Sequence, residues 1–347
     1  MPPLIINPPL LNSSNPWATT LEDLRELYDC PYTGAVTTRT SLLDGFKQDS
    51  KHHSHIFFDA GQHDPIRAGD TDTNNASLNT YGYSPVPFKE YLGFIKQISE
   101  EHGGKAQKPF IISVTGTVEE VTKCYHGVFL LQQEVSMRLA MEINLSCPNI
   151  PDKPPPAYDA VSLTEYLKPL SMYSPGSFPP VGIKTPPYTY ANQFKTLVDT
   201  LGSIRGINSA SPISFITATN TLGNALVLSG SLDGLESDDT GDSAFEEACP
   251  SYDGSGLGGM AGAPLHPLAL GNVSQLTQRL KKNVATAHIK VIGVGGVSDA
   301  DGFSRMKHVG ATAVGVGTAL GLKGVAIFEE IMQGLEGKGD VAPAQFR

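Results

Sequence analysis

The chain has 347 residues, 40% of them hydrophobic, and carries 25 Lys and Arg against 35 Asp and Glu for a formal charge of −10. It therefore has apolar residues enough for a large core, and its acidic balance excludes nucleic acid and anionic membrane as partners, since both demand a basic face. Cys30, Cys124, Cys147 and Cys249 stand far apart with no Cys-x-x-Cys pair, which argues against a structural zinc site or a disulfide framework and for a reducing compartment.

The first 16 residues carry five prolines and no Lys or Arg, which fits neither a secretory signal nor a transit peptide. No later apolar run approaches the ~20 residues of a membrane span. Short β-prone runs are predicted at 34–38, 109–115, 141–145, 181–184, 214–220, 290–294 and 313–316. Helical spacing of apolar residues is predicted at 20–28, 118–139, 163–170, 190–201, 268–280, 300–308 and 325–335. Such β/α alternation makes a parallel sheet. An eighth strand, sixth in chain order, is expected between 226 and 262, which would close a (β/α)8 TIM barrel as one domain over 1–347. An open doubly wound sheet is the competing architecture. Polar residues decide for the barrel: they recur at the strand ends as Thr38-Arg39, Thr115, Asn144, Lys184, Asn220, Gly295-Gly296 and Gly317-Thr318, and a barrel gathers such ends on one face.

Residues 50–79 and 229–255 interrupt the alternation and read as long loops on that face. The first holds His52, His53, His55 and His63, but no Cys or carboxylate spacing completes a ligand set, so no metal is expected. The second is acidic, with Glu236-Ser237-Asp238-Asp239 and Glu246-Glu247.

The stretch Ile143-Asn144-Leu145-Ser146-Cys147-Pro148-Asn149 carries the most chemistry, because it runs an apolar strand into two carboxamides, a hydroxyl and a thiol before a proline-stiffened loop. Cys147 is either a buried structural thiol or, as a thiolate, a nucleophile or general base. The glycines of Val291 to Val297 and of Val314 to Thr318 read as a phosphate cradle at two late strand ends, against the plainer reading of tight turns. Lys184 ends a strand, where burial demands a negative partner or else a salt bridge at the rim. Asn220-Thr221 offers donors and acceptors to a planar ring.

On these residues the chain resembles class 1 dihydroorotate dehydrogenases, specifically the soluble 1A, fumarate-type members of some bacteria and fungi. The likeness runs nearly end to end, through Asn12-Ser13-Ser14, 34–43, 79–82, 144–149, 182–188, 220–224, 258–269, 293–297 and 310–320, and Asn-Leu-Ser-Cys-Pro-Asn is its most specific motif. The resemblance implies a cytoplasmic, homodimeric flavoprotein that oxidises dihydroorotate to orotate in pyrimidine biosynthesis, with FMN as cofactor and fumarate as electron acceptor. It implies Cys147 as catalytic base. It places Arg39, Asn79, Tyr81, Gly82, Asn144, Asn149, Asn220 and Thr221 on the substrate. FMN would be held by Ser13, Ser14, Arg39, Thr40, Asn144, Lys184, Thr219, Gly262, Gly295, Gly296, Gly317 and Thr318, with Lys184 facing the flavin edge where negative charge gathers.

Three departures stand out. Arg39 replaces the family's active-site lysine, Asn15 stands where a glycine usually lies, and Tyr83-Ser84-Pro85 replaces a Leu-Pro-Asn turn. Arg39 raises the alternatives of another dihydropyrimidine as substrate, or of a catalytically weakened flavin-binding relative whose long loops meet a protein partner.

Overall fold

Eight short strands, all parallel, wrap into a barrel in the computed structural model, which describes residues 4–65, 73–105, 107–146, 155–173, 178–206, 209–230 and 245–337. In chain order they are Leu10–Asn12, Val36–Thr37, Phe110–Val114, Leu139–Asn144, Val181–Thr185, Phe215–Ala218, Lys290–Val294 and Ala313–Val316. Each from the second to the eighth pairs with the next, and the eighth pairs with the first. Between the first two, a parallel bridge joins Leu11 to Ala35, and Gly34 N–H donates to the Leu10 carbonyl at 2.8 Å. Asn12 reinforces this seam with its carboxamide, which donates to Thr37 O at 2.6 Å and accepts from Thr37 N at 2.9 Å.

The strand that completes the barrel is Leu10–Asn12, not one within 226–262 as expected. Three residues between Pro8-Pro9 and Ser13-Ser14 are too few to show alternation. The stretches read as long loops also carry strands: His55–Asp59, Asp64–Pro65 and Ala76–Asn79 join Leu222–Ala225 and Gly258–Gly262, which flank the second stretch, in an antiparallel five-stranded sheet, and Leu228–Gly230 pairs with Phe245–Glu247. The glycines of 258–262 hid their strand, because glycine has no side chain to show a period.

Helices alternate with the barrel strands. The first, Leu21–Asp29, and Val118–Gln132 start in capping boxes built by Thr20 with Asp23 and by Thr117 with Glu120. The helix expected through 139 ends at Gln132, whose side chain donates to Met137 O at 2.9 Å and accepts from Leu139 N at 2.8 Å, so the chain turns straight into the fourth strand. Phe88–Glu101 and Thr318–Lys323 are helices that the sequence reading did not identify. Among the described residues no helix is long and apolar enough to cross a membrane.

Side chains alternate across each barrel strand. Leu10, Phe110, Ile112 and Met141 join the large core under the helices, while Leu11, Ile111, Ala140, Phe215, Ile292 and Ala313 form a separate cluster inside the barrel. Gly182 belongs to the same packing, since a Cβ there would lie 2.2 Å from the Phe215 ring. Two residues further along the strands the interior turns polar, at Ser113, Glu142, Lys184 and Thr217. That change places the site at the C-terminal mouth.

Candidate active site

Glu142, on the fourth strand, forms the floor of the polar region and is 1% exposed. Its carboxylate accepts from Ser113 Oγ at 2.8 Å and from Thr217 Oγ1 at 2.5 Å. A hydroxyl has one hydrogen to give, so Ser113, spent on Glu142, accepts from Thr40 Oγ1 at 3.0 Å. Thr40 in turn accepts from Asn144 Nδ2 at 3.0 Å and from Ser14 Oγ at 2.9 Å. One buried carboxylate thus sets the sense of a hydroxyl chain that ends at Ser14 on the cavity wall.

Above this chain lies a cavity with about 990 Å³ of empty space, part of it open to solvent. Every described residue assigned to substrate or cofactor from the sequence lines it: Ser13, Ser14, Arg39, Thr40, Asn79, Tyr81, Gly82, Asn144, Lys184, Thr219, Asn220, Thr221, Gly262, Gly295, Gly296, Gly317 and Thr318. Cys147 and Asn149 lie outside the described residues. Asn220 reaches the last described residue before them, donating through Nδ2 to Ser146 O at 3.1 Å and to Ser146 Oγ at 3.0 Å. Ser146 donates from its N–H and Oγ to Asn144 Oδ1, at 3.2 and 2.8 Å. The two carboxamides therefore brace the residue before Cys147.

Lys184 is 4% exposed, within the barrel mouth and not at a solvated rim, and Nζ donates to Ser14 O at 3.2 Å. Arg39 is 8% exposed. Its guanidinium lies 4.9 Å from the Tyr81 ring centroid and donates, with long bonds, to Thr19 Oγ1 at 3.5 Å and Tyr83 O at 3.4 Å. Burial lowers its pKa, yet a guanidinium stays protonated in proteins. Asn15 donates to Ser13 O at 2.7 Å and accepts from Trp17 N at 2.9 Å, so it braces the first barrel turn. In the altered turn, Ser84 N–H donates to Thr40 O at 2.8 Å and its hydroxyl meets Tyr91 Oη at 2.8 Å.

The small sheet supplies the opposite wall, through Ser77, Asn79, Ala261 and Gly262. Asn79 Nδ2 donates to Gly259 O at 3.1 Å, and Ser77 Oγ meets Thr318 Oγ1 at 2.8 Å. Two wall residues escaped the sequence reading in these roles. His55 Nδ1 meets Tyr81 Oη at 3.0 Å, and Trp17 packs edge-on to the His55 ring at 5.5 Å. Burial first, and then the Arg39 charge, hold the His55 imidazole below its ordinary pKa. The pairing that sets His55 opposite Asn79 is visible only in the structure. Among the described residues no group of three His, Cys, Asp or Glu is placed to hold a metal ion.

Comparison with known proteins agrees with this geometry. The family profile described as Dihydroorotate dehydrogenase matches residues 60–338. The chain is 29% identical over 332 residues to "Dihydroorotate dehydrogenase A (fumarate)" of Lactococcus lactis subsp. lactis, covering 94% of this chain and 89% of that protein. It is 28% identical over 332 residues to the protein of that name in Lactococcus lactis subsp. cremoris, with the same coverage. Its fold is similar to the crystal structure of DHODH in complex with ferulenol from Eimeria tenella, with a TM-score of 0.64, 15% identity, and 95% and 82% of the two chains covered. A polar cavity at the mouth of an eight-stranded barrel and a family match over most of the chain lead to one assignment: the chain belongs to the dihydroorotate dehydrogenase family.

Proposed function

We propose that this chain, acting over 1–347 as one barrel domain, oxidises (S)-dihydroorotate to orotate with FMN as resident cofactor and fumarate as electron acceptor. The observation that carries the reading is the make-up of the cavity wall: Arg39 and Lys184, four carboxamides and a glycine cradle, with no Asp or Glu among the described lining residues. The residues present suit FMN. Thr219 Oγ1 is buried without a hydrogen-bond partner, and an unpaired buried hydroxyl calls for a polar ligand atom. The turns at Gly295-Gly296 and Gly317-Thr318 suit its phosphate, and Asn144, Lys184 and Thr219 suit the edge of its ring. When bound, FMN supplies a two-electron acceptor for the hydride leaving substrate C6.

The protein side of the reaction is proton removal and orientation. Cys147, one residue beyond the braced Ser146, takes the C5 proton as thiolate, so proton and hydride together leave orotate. Arg39 attracts the substrate carboxylate, while Asn79, Asn144, Asn149, Asn220 and Thr221 read the ring amides. Lys184 holds positive charge where electrons accumulate. A cytoplasmic homodimer belongs to the same proposal.

A second reading rests on Arg39. Its guanidinium already contacts Thr19, Tyr83 and Tyr81, a planar cation at a tight site where a lysine would be a point charge, and the substrate is then another dihydropyrimidine. Anaerobic mixing of the purified protein with dihydroorotate, followed at the flavin absorbance band and then by addition of fumarate, separates the two. Bleaching and recovery support the first reading; a yellow protein that stays yellow supports the second, and one that takes up no FMN refutes both.

A further inference from the structure

We infer that His266, held by Arg305, is a positioning residue that fixes the peptide between Gly295 and Gly296 so that its N–H serves the cofactor phosphate; the inference rests on the flavin reading above. His266 opens the helix His266–Lys282 and is 8% exposed. Its Nδ1 lies 2.7 Å from Gly295 O, and Arg305 Nε lies 3.0 Å from its Nε2. Arginine Nε always carries hydrogen and donates, so Nε2 is the acceptor and the imidazole proton sits on Nδ1. That proton is given to Gly295 O. A single neutral tautomer satisfies both contacts, and Arg305 selects it.

The turn needs such a hold. Gly295 has φ of 136° and Gly296 φ of 68°, and a peptide flanked by two residues without Cβ turns over at little steric cost. In a trans peptide the N–H and C=O point in opposite directions. Tying Gly295 O to the helix therefore turns the Gly296 N–H away from it, and both glycines line the cavity. That N–H donates to no described residue. The imidazole stem is packed against the turn: a Cβ on Gly296 would lie 2.7 Å from His266 Cβ and 2.6 Å from Gly262 O. Release of His266 would let the carbonyl swing inward, where it repels an anion.

The discriminating measurement compares FMN with riboflavin, which lacks the phosphate. The full-length chain, freed of flavin, is titrated with each by fluorescence in wild type, His266→Ala, His266→Asn and Arg305→Met. His266→Ala should weaken FMN roughly tenfold or more, the size expected for a hydrogen bond to a charged group, and leave riboflavin nearly unchanged. His266→Asn keeps a donor near Nδ1 and should restore most of the FMN preference; Arg305→Met should fall between, and with Asn it carries the test where the alanine variant does not fold. Equal weakening of both flavins without rescue by asparagine would show a purely structural role and overturn the inference. A wild-type preference for FMN that persists unchanged in the variants would overturn it alone, whereas a wild type that binds neither flavin would overturn the flavin reading beneath it as well.

Discussion

Glu142 offers the sharpest test of how the barrel mouth is built. Its carboxylate accepts from Ser113 and Thr217 with almost no solvent contact. Removing it by Glu142→Ala leaves two buried hydroxyls without their acceptor, each costing about 1–3 kcal/mol, and a small void besides. The expected loss of unfolding free energy is about 3–5 kcal/mol. Glu142→Gln should cost far less, about 1 kcal/mol, because the hydroxyl chain can reverse: Ser113 accepts from the amide and donates to Thr40, Thr40 donates to Ser14, and Ser14 turns its hydrogen into the cavity. A double-mutant cycle isolates the pairing. Thr217→Val in wild type strips the carboxylate of one donor, whereas in the Glu142→Ala background it removes nothing that matters, so the two changes should be non-additive by about 1–2 kcal/mol. The assay is urea denaturation with flavin concentration held fixed, since ligand shifts apparent stability. Additivity within about 0.5 kcal/mol would refute the claim that Glu142 organises these hydroxyls.

Three further outcomes follow from the site. Cys147→Ala should keep bound flavin yet slow its reduction by dihydroorotate by several orders of magnitude, on the order of the 10²–10⁴-fold worth of a positioned base or more; normal reduction in stopped flow would remove Cys147 from that role. Arg39→Lys should raise turnover of dihydroorotate if the guanidinium is what excludes it, and equal or lower turnover would dismiss the second reading. His55, depressed by burial and by Arg39, resists protonation more when folded than when unfolded. Its contribution to stability is therefore complete above the unfolded value of about 6.5 and declines as pH falls toward the lowered folded value. Arg39→Met should move the His55 titration upward in an NMR experiment, and an unmoved titration would show that the two do not sense each other.

What the sequence made legible follows from length and periodicity. The strands Phe110–Val114, Leu139–Asn144 and Val181–Thr185 are buried along their whole length, so each reads as a short, mainly apolar run that gives way to a polar residue at or just past its end, and those ends led to Asn144 and Lys184. Leu10–Asn12 has no room for a pattern, and its place in the barrel depends on the Asn12 side chain and on pairing with Ala313–Val316, some 300 positions away. Phe88–Glu101 was missed despite apolar Phe88, Tyr91, Ile95 and Ile98 at helical spacing, because its N-cap is Pro87 and no side chain caps it. Neither His55, one of a cluster of histidines, nor His266, between Leu265 and Pro267, announces its role in the sequence. Only the packing shows that one lines the cavity and the other sits behind the glycine turn.

The distribution of charge gives the cavity a selectivity that composition hides. The chain is acidic, with a formal charge of −10, yet the described wall of the cavity carries Arg39 and Lys184 and no carboxylate. Glu142 lies below it with its two oxygens occupied by hydroxyls, so its charge is spent on orientation and does not reach the cavity as an open acceptor. Buried cations are costly unless an anion completes them. Two cations fixed at one mouth give the described wall a positive potential that attracts negative ligands. Lys184 is tied to Ser14 O deep in the mouth, and Arg39 is packed on Tyr81 beside His55; under the proposed function the first serves the cofactor and the second the substrate. On that proposal, a substitution confined to Arg39 changes what is oxidised more readily than whether the cofactor is held.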